Sequence, residues 1–235
     1  MVYSEAFLTI QGEGQFIGHP SVFFRLTGCN LRCAWSETNL CDTPYTSWNP
    51  EGTKITVLDA AEKIVKLGKK ADHVVITGGE PFLYPDELQD LCSILKEHNK
   101  KITIETNATI YKNVKADLIS MSPKLSSSTP TKEHHESFHK HHERYRLNTG
   151  VIKNFIYNHK VQVKFVVSCN EDLNEIEHLR KLIPIPKQKI VLMPEGITTE
   201  QVRARQEWLV NYCIREGYRY SDRLHVQIWN DKRGV

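Results

Sequence analysis

The sequence has little that would place the protein in a membrane, outside the cell or on nucleic acid. No apolar run among its 235 residues is long enough to cross a bilayer. The residues Met1–Glu5 contain no basic region that leads into an apolar stretch. The formal net charge of only +3 gives no argument for nucleic-acid binding. We therefore expect a cytoplasmic protein that binds neither membranes nor nucleic acid.

Length and composition indicate a single folded domain. Hydrophobic residues make up 40% of the chain and charged residues 25%, which is ordinary for a soluble protein with a core. A chain of 235 residues can form one large α/β domain. Neither an internal repeat nor a linker is evident, so we expect one domain over residues 1–235, with a polar, histidine-rich insertion at residues 125–146.

Hydrophobic patterning predicts strands that alternate with helices. The predicted strands cover residues 21–27, 73–77, 101–106, 117–122, 161–168, 189–193 and 223–228. The predicted helices cover residues 56–67, 85–99, 151–158, 170–182 and 198–216. This order implies crossover connections and an α/β fold with a parallel sheet, either open or curled into part of a barrel.

Unusual polar residues follow the predicted strands. They are Cys29, Gly78–Glu80, Glu105–Asn107, Ser122–Lys124 and Pro194–Gly196. Parallel α/β sheets bind ligands at the carboxyl ends of their strands. We therefore expect these separate segments to meet at one edge of the sheet and to form a binding site there.

Three of the six cysteines, Cys29, Cys33 and Cys41, fall within one short segment after the first predicted strand. Such clustering favours metal or redox chemistry over a disulfide framework. A zinc site usually has four nitrogen or sulfur ligands, and no fourth Cys or His is close by. Three thiolates on a four-iron cluster would leave one iron open to another molecule. Buried core thiols are the alternative.

The other cysteines and most histidines are given structural interpretations. Cys92 shares the apolar face of a predicted helix, and Cys169 and Cys213 are also interpreted as structural thiols. The histidine-rich segment has no regular ligand spacing, so we interpret it as a solvated, mobile insertion and not as a metal site.

Arg25 lies in an otherwise apolar predicted strand. Phe23, Arg25 and Thr27 share one face of that strand, and Val22, Phe24 and Leu26 share the other. If the first face lines the interior of the fold, a guanidinium there requires an anion. An arginine on an edge strand in contact with solvent is the alternative.

With these motifs placed, the chain resembles radical S-adenosylmethionine (SAM) enzymes and, more narrowly, the 7-carboxy-7-deazaguanine synthases. The matching segments are residues 11–14 (QGEG), 24–33 (FRLTGCNLRC), 41–43 (CDT), 75–81 (VITGGEP), 104–107 (IETN), 122–125 (SPKL) and 226–227 (VQ). Most relatives have the cysteine spacing C-x3-C-x2-C, whereas seven residues separate Cys33 from Cys41, with Ser36–Leu40 inserted. We align Cys41 with the third ligand; in the alternative alignment, Ser36 replaces a lost cysteine.

The resemblance implies a partial, TIM-like barrel that holds a 4Fe-4S cluster, SAM and Mg²⁺. It implies a lyase that converts 6-carboxy-5,6,7,8-tetrahydropterin to 7-carboxy-7-deazaguanine and ammonia for queuosine or other 7-deazapurine biosynthesis. The cluster would cleave SAM to a 5′-deoxyadenosyl radical that abstracts a substrate hydrogen and later regains it. The resemblance further implies a homodimer and a flavodoxin- or ferredoxin-type reductant.

The resemblance also assigns individual residues to these groups. The cluster would take Cys29, Cys33 and Cys41, and Mg²⁺ would take Thr43. The substrate, whose carboxylate would pair with Arg25, would contact Ile10, Gln11, Gly12, Glu13, Arg25, Thr77 and Val235. SAM would contact Leu40, Asp42, Gly79, Glu105, Asn107, Ser122, Pro123 and Lys124. Gly79 would allow the backbone to approach the amino group of SAM closely.

Two other functions use some of the same residues. A radical SAM activase that installs a glycyl radical on a partner protein would share the cysteines and the glycine turn, but would not require Gln11, Glu13, Arg25 and Thr43 around a pterin. A non-catalytic zinc module would use the cysteines alone and would bind zinc without iron.

Overall fold

The protein folds around a single nine-stranded sheet. A computed structural model describes all residues, Met1–Val235. The strands are β1 (Val2–Ile10), β2 (Pro20–Leu26), β3 (Thr53–Lys54), β4 (His73–Gly78), β5 (Lys101–Thr106), β6 (Leu118–Met121), β7 (Val161–Val167), β8 (Ile190–Pro194) and β9 (Arg219–Tyr220). Their order across the sheet is β3-β1-β2-β4-β5-β6-β7-β8-β9.

Helices connect the strands and cover the sheet. They are α1 (Pro44–Ser47), α2 (Val57–Leu67), α3 (Pro85–Glu97), α4 (Lys132–Tyr145), α5 (Thr149–Asn158), α6 (Asn170–Leu182), α7 (Thr199–Glu216) and α8 (Leu224–Trp229). The predicted start of α2 is confirmed, since the Thr56 side chain caps it by accepting a hydrogen bond from the backbone of Asp59. None of the helices is both long enough and apolar enough to span a membrane.

From β2 onward, the sheet is wound in one direction. The strands β2, β4, β5, β6, β7, β8 and β9 are parallel neighbours in chain order. This is the winding of a TIM-like barrel, but β3 and β9 are the two sheet edges and do not pair, so the sheet stays open. The expected part-barrel with a parallel sheet is confirmed. The strands β1 and β3, which were not predicted, extend it with antiparallel pairs.

One face of β2 packs in the hydrophobic core, and its other face lines a cavity. Val22, Phe24 and Leu26 are fully buried in a hydrophobic cluster of 36 residues. Phe23 and Arg25 alternate with them and line a cavity on the opposite face. The predicted assignment of the two faces is therefore confirmed for this strand.

The predicted strand at 223–228 is wrong, because most of this segment is the short helix α8. The alternation of Leu224, Val226 and Ile228 suggested a strand, but only Val226 is buried, whereas Ile228 is 51% exposed. The backbone N–H of Leu224 donates to the carbonyl of Gly12 at 2.9 Å. The segment therefore packs against the loop that follows β1 and does not extend the sheet.

The histidine-rich segment is an ordered helix for most of its length, so its interpretation as a solvated insertion holds only for its outer face. In α4, His142 is fully buried and its Nε2 lies 3.4 Å from the Ser128 hydroxyl. The rings of His135 and Phe138 pack against Trp48, which follows the cysteine segment. The helix α4 therefore covers the outer side of that segment.

Candidate active site

A cavity of about 260 Å³ opens at the carboxyl ends of the parallel strands. Of the residues assigned to the cluster, Mg²⁺, substrate and SAM, all but Pro123 line it: Ile10, Gln11, Gly12, Glu13, Arg25, Cys29, Cys33, Leu40, Cys41, Asp42, Thr43, Thr77, Gly79, Glu105, Asn107, Ser122, Lys124 and Val235. Pro123 is buried beside it. The expected convergence of the strand ends is confirmed, whereas the role of each residue stays a prediction.

A short hairpin brings Cys41 back to Cys33. Ala34 and Leu40 form an isolated antiparallel bridge, and the backbone N–H of Cys41 donates to the carbonyl of Cys33 at 3.0 Å. The tip of this hairpin, Ser36–Thr38, is exposed, whereas Trp35, Asn39 and Leu40 line the cavity. Because Cys41 lines the cavity and Ser36 does not, this geometry supports the alignment that uses Cys41.

The three cysteines form a donor set that fits a 4Fe-4S cluster. All three line the same cavity, and burial is the main cause that raises the pKa of Cys29 to about 12, with Cys41 adding to it. No three His, Cys, Asp or Glu side chains are grouped closely enough for a single metal ion. A four-iron cluster takes one thiolate per iron and therefore needs wider spacing. The zinc-module hypothesis gains no support from this arrangement.

The neighbouring strands hold the first cysteine in place. The Asn107 Nδ2 lies 3.8 Å from the Cys29 Sγ and donates to the Asn30 Oδ1 at 3.0 Å. The buried Glu80 carboxylate accepts hydrogen bonds from the backbone N–H groups of Asn107 (2.7 Å) and Phe82 (3.0 Å). Burial raises the pKa of Glu80 to about 7. Glu80 thus ties the ends of β4 and β5 to each other beside the cysteine segment.

The glycine turn is required by packing between loops. A Cβ on Gly79 would lie 2.0 Å from the carbonyl oxygen of Gly28, and one on Gly78 would lie 2.0 Å from that of Leu26. Gly78 also has a positive φ of 132°. The turn therefore packs directly on the backbone that leads to Cys29. Close approach to a ligand was the reason predicted for glycine at position 79. Packing against the backbone of Gly28 is a second reason.

Glu13 is the centre of a buried charge network. Its carboxylate pairs with Lys164, with Arg223 at 3.2 Å and, more distantly, with His225 at 3.8 Å. Burial alone would raise the pKa of Glu13, but Lys164, Arg223 and His225 together lower it far below its usual value. Arg223 also pairs with Asp42. Glu13 is therefore ionised, and its loop is fastened to β7 and to the segment before α8.

Glu105 lies with the predicted substrate residues. Its Oε1 accepts a hydrogen bond from Gln11 at 3.3 Å and lies 3.7 Å from the Lys164 ammonium. Its Oε2 accepts from the Thr77 hydroxyl at 3.1 Å. Glu105 therefore contacts two of the predicted substrate residues, Gln11 and Thr77, whereas its contact with SAM stays a prediction.

Arg25 is not an edge-strand arginine, because β2 lies between β1 and β4. Its Nε donates to the Glu5 carboxylate at 2.8 Å, and Tyr45 donates its hydroxyl to the same oxygen at 2.9 Å. Burial opposes the charge on Arg25, but Tyr45 and Glu5 raise its pKa above the usual value. The two terminal nitrogens of the guanidinium have no protein partner, so Arg25 can offer them to an anion in the cavity.

Several residues of the site were missed at the sequence level. They are Glu5, Tyr45, Lys164, Arg223 and His225. A lysine in the interior strand β7, which is apolar apart from Gln162, was a recognisable signal, because Lys164 faces away from Val163 and Phe165. The others gave no local signal, since their partners are distant in sequence.

Known proteins are similar to this chain over most or all of its length. Residues 24–183 match the model of the radical SAM superfamily. A 7-carboxy-7-deazaguanine synthase of Rhodopirellula baltica is 41% identical over 100% of this chain and 89% of its own length. One of Halobacterium salinarum is 40% identical over 97% of this chain and 90% of its own length.

A solved structure has the same fold. The crystal structure of QueE from Escherichia coli superposes with a TM-score of 0.70 at 25% identity, over 95% of this chain and 94% of that one. Streptococcus suis SuiB matches with a TM-score of 0.54 at 18% identity, over 83% of this chain and 48% of the SuiB chain. This similarity is one of fold alone. The chain therefore belongs to the radical SAM superfamily and, within it, to the 7-carboxy-7-deazaguanine synthase family.

Proposed function

We propose that this chain is a radical SAM lyase that converts 6-carboxy-5,6,7,8-tetrahydropterin to 7-carboxy-7-deazaguanine with loss of ammonia, in queuosine or other 7-deazapurine biosynthesis. The observation that carries the proposal is one cavity that is lined both by three cysteines and by an available guanidinium, Arg25. Full-length relatives with this activity in their names support it. An activase or a zinc module would use the three cysteines but would not need Arg25 in the same cavity.

The cysteine side would hold the cluster and SAM. Cys29, Cys33 and Cys41 would hold the cluster, which would supply the electron for reductive cleavage of SAM. Lys124, whose ammonium donates to the Ser122 hydroxyl at 3.1 Å, lines the same side. We assign Leu40, Asp42, Gly79, Asn107, Ser122, Pro123 and Lys124 to the SAM side.

The opposite side would bind the pterin. The free nitrogens of Arg25 match a carboxylate in geometry and charge. Gln11, Thr77 and Glu105 form a hydrogen-bonded group on the cavity wall and can exchange these bonds for bonds to the polar edge of the ring. A site that pairs such groups rejects analogues that lack them. Glu13 is held ionised by Lys164 and Arg223 and would accept hydrogen bonds from ring N–H groups.

Thr43 would bind Mg²⁺ together with substrate and water oxygens. Its hydroxyl lies 3.5 Å from the Cys41 Sγ, and Thr43 lines the cavity. A hydroxyl is a suitable hard-oxygen ligand for this ion. Resemblance to the family further supports a cytoplasmic homodimer that receives its electron from a flavodoxin- or ferredoxin-type protein.

Anaerobic turnover tests the proposal. The reconstituted protein, given SAM, a reductant and carboxytetrahydropterin, is expected to form 7-carboxy-7-deazaguanine, identified by mass spectrometry, without net consumption of SAM. Release of 5′-deoxyadenosine in proportion to reductant, with no deazapurine formed, would refute it. Arg25→Met is expected to weaken substrate binding about tenfold or more, since a charge-assisted bidentate contact is lost. Arg215→Met, at an exposed arginine, is the matched control.

A further inference from the structure

The pairing of β1 with β2 has a register shift next to Arg25. Tyr3 pairs with Leu26 and Glu5 pairs with Arg25, so Ser4 is an extra residue in β1. Bulges of this kind redirect side chains and are frequent beside active sites. Here the shift sets Glu5 directly across from Arg25. Glu5 itself does not line the cavity.

The Glu5 carboxylate joins Arg25 to the end of the chain. Its Oε1 accepts from the Arg25 Nε and the Tyr45 hydroxyl, and its Oε2 accepts from the Arg233 Nε at 3.0 Å. Arg233 also donates to the Ser4 hydroxyl at 3.0 Å and to the Glu51 carboxylate at 3.1 Å. Its guanidinium lies 3.7 Å from the centre of the Tyr45 ring.

Arg233 belongs to a segment that forms one wall of the cavity. All six residues from Asn230 to Val235 line it. The segment leaves α8 at Asn230, which has a positive φ of 53°, and Arg233 is its main attachment to β1. The wall therefore depends on a carboxylate that also fixes the orientation of Arg25.

We propose that Glu5 is a positioning residue with two linked tasks: it orients Arg25 toward a ligand carboxylate and it fastens the segment 230–235 across the cavity through Arg233. The first task rests on the proposed function, and the second does not. Because both bonds end on one carboxylate, closure of the segment and binding of a carboxylated ligand strengthen each other. Linkage makes this effect reciprocal, so the ligand also stabilises the closed segment.

Glutamine is a sharp probe of this arrangement. Glu5→Gln preserves size, but the amide offers one acceptor oxygen and one NH₂ donor. The carboxylate accepts from arginines through both oxygens, so the amide must direct its NH₂ at an arginine donor on one side. The single acceptor oxygen can serve only one of the two arginines, and both Arg25 and Arg233 lose their charged partner, so both contacts are expected to weaken.

The experiment measures binding and segment closure separately on the full chain. Binding of 7-carboxy-7-deazaguanine and of 7-deazaguanine, which lacks the carboxylate, is measured by titration calorimetry on anaerobically reconstituted protein. Closure is measured by hydrogen exchange of residues 230–235 with and without ligand. The variants are Glu5→Gln, Arg233→Met and the double variant. Glu51→Gln is the matched control, because Glu51 is 62% exposed and contacts Arg233 but not Arg25.

Glu5→Gln is expected to weaken binding of the carboxylated ligand about tenfold, as for a lost charge-assisted hydrogen bond, and to leave 7-deazaguanine unchanged. Exchange in 230–235 is expected to quicken in Glu5→Gln and Arg233→Met, and the ligand is expected to slow it in the wild type but not in Arg233→Met. In the double variant, the loss of affinity for the carboxylated ligand is expected to be smaller than the product of the losses in Glu5→Gln and Arg233→Met. The control is expected to change little.

Two results would overturn the proposal. Equal weakening of both ligands in Glu5→Gln would show a general structural effect, and wild-type exchange of 230–235 in Glu5→Gln would show that Glu5 does not fasten the segment. If the wild-type protein binds neither ligand, the proposed function fails. The exchange rates of the ligand-free variants still decide whether Glu5 holds the segment.

Discussion

Removal of the Lys164 ammonium is the most direct test of the buried charge network. The Lys164 side chain is 6% exposed and pairs with Glu13, while Glu105 lies 3.7 Å away. In Lys164→Met the side chain keeps a similar length, but the carboxylates of Glu13 and Glu105 lose the cation that they share. Burial disfavours an ionised carboxylate unless it is paired, so the variant carries an uncompensated charge in the cavity wall.

The expected loss of stability in Lys164→Met depends on the partners that Glu13 and Glu105 keep. Breaking a buried ion pair by removing one partner costs about 3–5 kcal/mol. Arg223 stays 3.2 Å from Glu13 and compensates part of the loss, so we expect the free energy of unfolding to fall by about 3 kcal/mol, the lower end of that range. Glu105 retains Gln11 and Thr77 as hydrogen-bond donors, so most of the cost falls on Glu13.

Urea unfolding followed by circular dichroism measures this difference. Lys140→Met is the matched control, because Lys140 pairs with Glu136 on an exposed helix surface and is 71% exposed. Such a pair contributes only about 0.3–0.5 kcal/mol. If Lys164→Met lowered stability by no more than Lys140→Met, the network would not hold the Glu13 loop, and the argument that Glu13 is kept ionised by its neighbours would fail.

Three further outcomes are expected. After anaerobic reconstitution, Cys41→Ser should lose most of its iron while Ser36→Ala keeps it; equal iron contents would contradict the ligand assignment. Two glycines inserted between Glu37 and Thr38 should leave the iron content unchanged, whereas one glycine inserted directly before Cys41 should reduce it, because a one-residue shift turns a side chain to the other face. Burial lowers the pKa of His73 from 6.5 to about 4, so its stabilising contribution is present above pH 6.5 and is lost as the pH falls through 4, by at most about 3 kcal/mol. An unchanged pH slope in His73→Gln would contradict this.

Secondary-structure elements that depend on neighbouring residues in the chain were predictable from the sequence. The face assignment of β2 follows from the two-residue period of a strand, and the start of α2 follows from the Thr56 cap. The predicted strand at 223–228 failed because a short helix on an edge of the sheet buries only Val226, so alternation there does not reflect burial. The strand β1 was missed because most of its residues are only partly buried and give no contrast between its faces.

The contacts that complete the site were not predictable in this way, because they join distant parts of the chain. Arg223 lies 210 residues from Glu13, and Arg233 lies 228 residues from Glu5. No local period or spacing relates such pairs. Lys164 is the exception, since a lysine in a central strand needs an anion whatever the fold. The sequence could therefore have indicated a counter-charge, although Lys164 was missed, and the structure identifies Glu13 and Glu105 as its partners.

The hairpin between Cys33 and Cys41 explains why spacing alone was a poor guide to the cysteine site. In an antiparallel pair, residues whose numbers have a constant sum face each other, so the bridge between Ala34 and Leu40 also sets Cys33 opposite Cys41. The distance between the two sulfurs depends on this register and not on the number of residues at the tip. A longer gap is therefore compatible with the same ligand positions, provided that the extra residues lengthen the hairpin at its tip and leave its register unchanged. The exposure of Ser36 at the tip, away from the cavity, meets that condition.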